Sequence, residues 1–120
     1  MGKNDVEKAL QNFISRLKYA SHILPLLENE NITVLFCPFE DNEITLVLNG
    51  NDVSLNNRNG HDGYALTIRG DSTTLIELIE GREKLQTLKK RGELAVEGKF
   101  RYILKVESIL YCCSFELSKS

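Results

Sequence analysis

The alternation of apolar and polar positions divides the chain into helical and extended segments. The first segment places apolar residues at i, i+4, i+7, i+8 and i+11, the spacing of one stripe along an α-helix. The stripe consists of Val6, Leu10, Phe13, Ile14, Leu17, Ala20 and Leu24. It predicts an N-terminal helix that packs one side against a core and ends near Pro25.

Four short runs of strand-forming residues follow, and apolar and polar positions tend to alternate within each. They are ITVLF (32–36), EITLVLN (43–49), DVSLN (52–56) and YALTIRG (64–70). The connecting segments are rich in Gly, Asn and Asp, which is typical of turns. This arrangement predicts an antiparallel meander, in which each strand pairs with the next and one face of the sheet is buried.

The second half of the chain returns to helical spacing. DSTTLIELIEG (71–81), with Asp71 or Ser72 as a candidate N-cap, and REKLQTLKKR (82–91) predict two short helices. GELAVEG (92–98) predicts one more strand, and KFRYILKVESILYCC (99–113) predicts a last helix. Helices segregated from a mainly antiparallel sheet define an α+β domain. The length of 120 residues fits one such domain, which we expect over residues 1–120.

The last helix is unusual because it carries apolar residues on two sides. At 100° per residue, one stripe contains Tyr102, Ile103, Val106, Ile109, Leu110 and Cys113. A second stripe contains Phe100, Leu104 and Tyr111. A surface helix needs only one stripe, so the second either packs between the sheet and the N-terminal helix, forms a dimer contact, or lines an apolar cavity.

The second half of the chain resembles the sterol carrier protein type 2 (SCP-2) family. The resemblance rests on DGYALTIRGDSTTLIELIEG, a short linker helix, and GELAVEGKFRYILKVESIL, and it covers roughly residues 40–113. Gly92 and Gly98 match the glycines that bound a G-x-L-x-V-x-G strand in that family, with Leu94 and Val96 as its buried positions.

The resemblance implies a five-stranded, mainly antiparallel sheet with helices over one face, enclosing an apolar tunnel for acyl chains, sterols or similar lipids. Alternation and helical phase then suggest which side chains line the tunnel. These candidate ligand-binding residues are Phe36, Leu46, Leu66, Ile68, Phe100, Ile103, Leu104, Val106 and Leu110.

The formal charge of −2 hides a segregation of charge along the chain. Residues 28–80 carry ten acids and two bases, whereas residues 82–105 carry eight bases and three acids. The basic stretch Arg82, Lys84, Lys89, Lys90 and Arg91 is either a solvated face or a transient contact with an anionic membrane surface. The negative total charge argues against nucleic acid as a partner.

Catalytic and metal-binding patterns are weak. His61 beside Asp62 is typical of a turn, and Glu107 is a better candidate for a paired or solvated carboxylate than for a general acid or ligand anchor. Three cysteines (Cys37, Cys112 and Cys113) and two histidines show no ligand spacing, so we expect neither metal nor cofactor. No apolar run reaches the length of about 18 residues that spans a bilayer, and we expect a cytoplasmic protein.

Three functions therefore stay open. The first is non-catalytic binding or transfer of a hydrophobic ligand in an internal tunnel. The second is an interaction or dimerisation domain without a cavity, in which the second stripe of the last helix meets a partner. The third is a small α+β enzyme with Glu107 or His61 as a base. Both a monomer and a homodimer are compatible with the sequence.

Overall fold

The computed structural model describes residues 5–19, 31–40, 42–49, 52–56 and 65–112. Within these residues the chain forms helices and strands in the predicted order. The helices are α1 (Asp5–Tyr19), α2 (Ser72–Ile79), α3 (Leu85–Lys90) and α4 (Phe100–Cys112). The strands are β1 (Asn31–Pro38), β2 (Ile44–Asn49), β3 (Asp52–Asn56), β4 (Leu66–Gly70) and β5 (Ala95–Gly98).

Helix α1 buries the apolar stripe that its spacing predicts. Val6, Leu10, Phe13 and Leu17 are fully buried, and Ile14 packs against the same core from a partly exposed position. Burial of such a stripe is what stabilises a helix of this length, because isolated helices of about 12–15 residues are marginal in water. The predicted continuation of the stripe to Ala20 and Leu24 lies outside the described residues.

All five strands belong to one sheet with the order β3-β2-β1-β4-β5. Three of its strand pairs are antiparallel, whereas β1 and β4 pair in parallel. The predicted mainly antiparallel α+β sheet is confirmed, but the predicted meander is wrong for β4, which pairs with β1 instead of β3. The reason lies in β1, where residues 34–38 are buried on both faces, as is typical of a central strand.

The helices pack on one face of this sheet. The register aligns Val34 of β1 with Leu46 of β2 and Leu66 of β4, so these side chains form a row on the same face. They belong to one hydrophobic cluster with buried residues of all four helices. The opposite face carries partly exposed Thr67 and exposed Arg69 on β4. The predicted placement of the helices over one face is therefore confirmed.

Helix α2 begins at a cap that the sequence predicts. The Asp71 carboxylate accepts a hydrogen bond of 2.7 Å from the backbone N–H of Thr74, which satisfies a donor of the first turn. This hydrogen bond, with a further one from the Thr74 side chain, holds the pKa of Asp71 below its usual value. A second carboxylate lies at the start of α2. Glu40, which follows β1, accepts a hydrogen bond of 3.0 Å from the backbone N–H of Ser72.

The two glycines around β5 have different structural roles. Gly92 has φ of 76°, which permits the chain to turn from α3 into β5. Gly98 has φ of 143°, and a Cβ at this position would collide with the Ala65 carbonyl oxygen and the Leu66 side chain. The close approach of β5 to β4, just before α4 begins, therefore requires glycine at position 98.

Candidate functional site

The interior between the sheet and the helices contains most of the predicted lining residues. Seven of the nine are buried, none more than 4% exposed, and all belong to the same hydrophobic cluster. These seven are Phe36, Leu46, Leu66, Ile68, Ile103, Val106 and Leu110. They come from β1, β2, β4 and α4, so segments distant in sequence contribute to a single apolar interior.

The register explains how the strand residues come together. Phe36 lies opposite Ile44 in the antiparallel pair and opposite Ile68 in the parallel pair, so all three share one face. Leu46 and Leu66 flank Val34 in the adjacent row. Val34 and Ile44 are equally part of this interior, and the alternation that singled out Phe36 and Leu46 could have identified them.

The other two predicted lining residues lie on the surface. Phe100 is 59% exposed and Leu104 is 41% exposed, although both were expected in the interior. Tyr111, the third member of the same stripe of α4, is also 41% exposed. Helix α4 turns its other stripe inward, with Ile109 fully buried, and this orientation carries the second stripe away from the core.

The interior is almost entirely apolar. Among the described residues, the buried polar side chains are Thr45 and Thr74. Thr45 pairs with Leu35 on the opposite face of the sheet, and Thr74 lies in the first turn of α2. The described part of the interior is therefore apolar and contains no buried charge that could bind an ionised group.

Glu107 connects α4 to α3. Its Oε2 accepts from the backbone N–H of Gln86 at 3.0 Å, and its Oε1 accepts from Gln86 Nε2 at 2.8 Å. The cap residue of α3, Lys84, makes no side-chain capping hydrogen bond, so a carboxylate from a neighbouring helix performs that role. The partner of Glu107 is therefore the backbone and side-chain amide of Gln86, which no local signal in the sequence identifies. His61 lies outside the described residues.

The predicted basic stretch is exposed, but its members differ in their contacts. Arg82 pairs with Glu80 at 2.8 Å, and Arg91 pairs with Glu93 at 2.7 Å. The Nζ atom of Lys84 lies 5.0 Å from the centre of the Tyr111 ring, a cation–π contact between the start of α3 and the end of α4. Lys89 and Lys90 occupy the last turn of α3, where positive charge complements the helix dipole.

Cys37 is the one cysteine whose side chain lies within the described part of the structure, and it is buried. Burial and the nearby Glu43 carboxylate raise the pKa of its thiol, although Arg69 acts in the opposite direction. The Sγ atom lies 3.6 Å from Glu43 Oε2, to which the thiol donates. The protonated, buried thiol is poorly placed to act as a nucleophile.

Two features are absent from the described residues. No group of three or more His, Cys, Asp and Glu side chains among them is arranged to hold a metal ion. Likewise, none of the helices in these parts of the chain combines the length and apolar character needed to cross a membrane.

Comparison with known proteins gives the family. The model of the SCP-2 sterol transfer family matches residues 28–111, and the chain belongs to that family. The SCP2 domain-containing protein YusD of Bacillus subtilis (strain 168) is 46% identical over 46 residues. That match spans 38% of this chain and 40% of the Bacillus protein. The resemblance seen in the sequence is therefore confirmed.

Solved structures show the same fold. The ubiquinone synthesis protein UbiJ-SCP2 superimposes with a TM-score of 0.65 at 17% identity, covering 90% of this chain and 87% of that one. The inverting sec-alkylsulfatase Pisa1 from Pseudomonas sp. gives a TM-score of 0.62 at 14% identity over 72% of this chain. The match corresponds to only 14% of the sulfatase, so the fold occurs there within a much larger enzyme.

Proposed function

We propose that this protein binds an apolar or amphipathic lipid, such as a fatty acyl chain or a sterol-like molecule, in the interior between its sheet and helices. The observation that carries the proposal is the apolar interior itself, in which seven predicted lining residues meet without a buried charge among the described residues. Membership of the SCP-2 sterol transfer family supports the same class of ligand.

The chemistry of the interior limits the part of the ligand that enters it. An ionised headgroup buried without a partner would be strongly unfavourable, so we expect the carboxylate of a fatty acid to remain at the surface. The buried part would be hydrocarbon, with each methylene contributing about 0.8 kcal/mol. Affinity should therefore depend on chain length much more than on the headgroup.

We propose that the protein acts by binding and transfer, without chemical conversion of the ligand. Both oxygens of Glu107 are engaged by Gln86, which leaves this carboxylate poorly placed as a general base. The raised pKa of Cys37 disfavours a thiolate nucleophile. The single domain over residues 1–120 and the cytoplasmic location stay predictions.

The test is a chain-length series. A fluorescent fatty acid is bound to the protein and displaced by dodecanoic, tetradecanoic or hexadecanoic acid, each below its critical micelle concentration. The displacement curves give the dissociation constant of each acid. We expect the dissociation constant to fall about fourfold for each added methylene. A flat series, or no displacement at any length, would overturn the proposal.

A pair of variants locates the ligand. Ile68→Phe adds volume in the interior, whereas Val47→Phe adds the same aromatic ring on the opposite face of the sheet. We expect Ile68→Phe to weaken binding of the longest acid and Val47→Phe to leave it unchanged. Thermal unfolding of both variants shows whether each remains folded, and equal loss of binding in two folded variants would argue against an interior site.

A further inference from the structure

A line of exposed apolar side chains runs along α4 on the side away from the core. Phe100, Leu104 and Tyr111 are 59%, 41% and 41% exposed, and at 100° per residue they lie within about 40° of one another around the helix. The described residues contain one other large exposed apolar side chain, Phe39. Three of these four side chains therefore share one surface, in contrast to the scattered exposure of single residues that is ordinary in proteins.

Exposed cations occur next to this line and on the neighbouring helix α3. Lys84 contacts the Tyr111 ring, while Lys99 and Arg101 flank Phe100 in the sequence and are themselves exposed. Helix α3 is held against α4 by the hydrogen bonds between Gln86 and Glu107, and it carries exposed cations in its last turn. We call the surface formed by Phe100, Leu104, Tyr111, Lys84, Lys89, Lys90, Lys99 and Arg101 the docking face.

The segment that supplies the cations of the docking face differs in charge from the preceding part of the chain. Residues 82–105 carry eight bases and three acids, whereas residues 28–80 carry ten acids and two bases. A negatively charged surface attracts residues 82–105 and repels residues 28–80. This difference would orient the protein with α3 and α4 towards that surface. A second copy of the chain would instead bring like charges together at the same face.

We propose that the docking face binds the surface of an anionic lipid bilayer, with Phe100, Leu104 and Tyr111 entering the boundary between headgroups and acyl chains. The flanking lysines would contact lipid phosphates and carboxylates, as in amphipathic helices that lie in the plane of a membrane. The proposal goes beyond the internal binding of a lipid and does not depend on it.

Sedimentation with vesicles tests the apolar part of the docking face. The probes are vesicles of phosphatidylcholine alone and of equal parts phosphatidylcholine and phosphatidylserine. We expect binding to the anionic vesicles that Leu104→Glu weakens about tenfold. The matched control is Phe39→Glu, because Phe39 is 73% exposed but follows β1 beside Gly70, outside α3 and α4, and we expect this change to have less than about a twofold effect.

Two single charge reversals test the cationic part. Lys90→Glu in α3 and Lys8→Glu in α1 change the net charge equally, and both side chains are exposed. We expect Lys90→Glu to weaken binding to the anionic vesicles at least about fivefold and Lys8→Glu to weaken it much less. Binding by the unaltered protein should also fall as salt is added.

Three outcomes would overturn the proposal. They are equal binding to neutral and anionic vesicles, equal effects of each variant and its control, and a dimer of the unaltered protein that Leu104→Glu dissociates without any vesicle binding. Circular dichroism shows whether Leu104→Glu is folded, and Phe100→Ser takes its place if it is not. The displacement assay is repeated on the Leu104→Glu variant. If fatty acids still displace the fluorescent fatty acid from it while vesicle binding is lost, docking has failed and internal lipid binding is intact.

Discussion

The two apolar stripes of α4 lie in opposite environments. Ile103, Val106, Ile109 and Leu110 are buried, whereas Phe100, Leu104 and Tyr111 are exposed. Both stripes follow helical spacing, and both contain aromatic side chains: Tyr102 in the first, Phe100 and Tyr111 in the second. Hydrophobicity alone therefore does not determine which side of a helix meets the core, because the sheet and the other helices offer a complementary surface to only one side.

The largest expected effect compares one residue from each stripe. Ile109→Ala removes a fully buried side chain and should lower the free energy of unfolding by about 3 kcal/mol, since it loses apolar contacts and leaves a cavity. Leu104→Ala, at a site that is 41% exposed, should lower it by less than about 1 kcal/mol. Urea unfolding measures both values. Similar losses would mean that the second stripe also has a structural contact in the core.

Glu107 lies between the stripes and should show an intermediate effect. Glu107→Ala removes the acceptor of two hydrogen bonds from Gln86 and should lower the free energy of unfolding by about 1–2 kcal/mol. The control is Ser108→Ala at the next, exposed position of α4, which should change it by less than about 0.5 kcal/mol. Equal small effects in urea unfolding would show that α3 is held to α4 by packing alone.

The smallest expected effect on stability comes from the cap of α2. The start of α2 is capped locally by Asp71, whereas the start of α3 is capped by Glu107 from another helix. Asp71→Ala should lower the free energy of unfolding by about 1 kcal/mol at neutral pH. The pKa of Asp71 is lowered on folding, so its stabilising contribution is present above the ordinary value of 3.8 and is lost as the pH falls through the lower value in the folded state.

Thermal unfolding as a function of pH measures this contribution. The difference between the unaltered protein and Asp71→Ala should shrink as the pH falls below 3.8. Asp71→Asn serves as the control because asparagine also caps helices but carries no titrating charge. A difference that stays constant down to low pH would show that the charge of Asp71 is irrelevant to the cap.

Much of the fold could be predicted from the sequence because the signals are local. The stripe of α1 and the Asp71 cap each depend on residues a few positions apart, and the described residues confirm them. Seven candidate lining residues lie in the interior for the same reason, since alternation and helical phase define which side of an element is apolar.

The errors concern contacts between elements. The alternation of Leu66 and Ile68 is compatible with pairing on either edge of the first three strands, so the sequence favoured β3 where the structure has β1. Phe100 and Leu104 were expected inside because the sequence does not determine how α4 is rotated. Gln86 was missed because its contact with Glu107 spans 21 residues.

The sequence by itself determined the order of the elements, the apolar side of most of them and the family to which the chain belongs. Only the tertiary structure decided that β4 lies beside β1, which stripe of α4 is buried, and that Glu107 caps α3. The physical reason is that periodicity and capping arise within single elements, whereas strand neighbours and helix rotation depend on how several apolar surfaces are buried together.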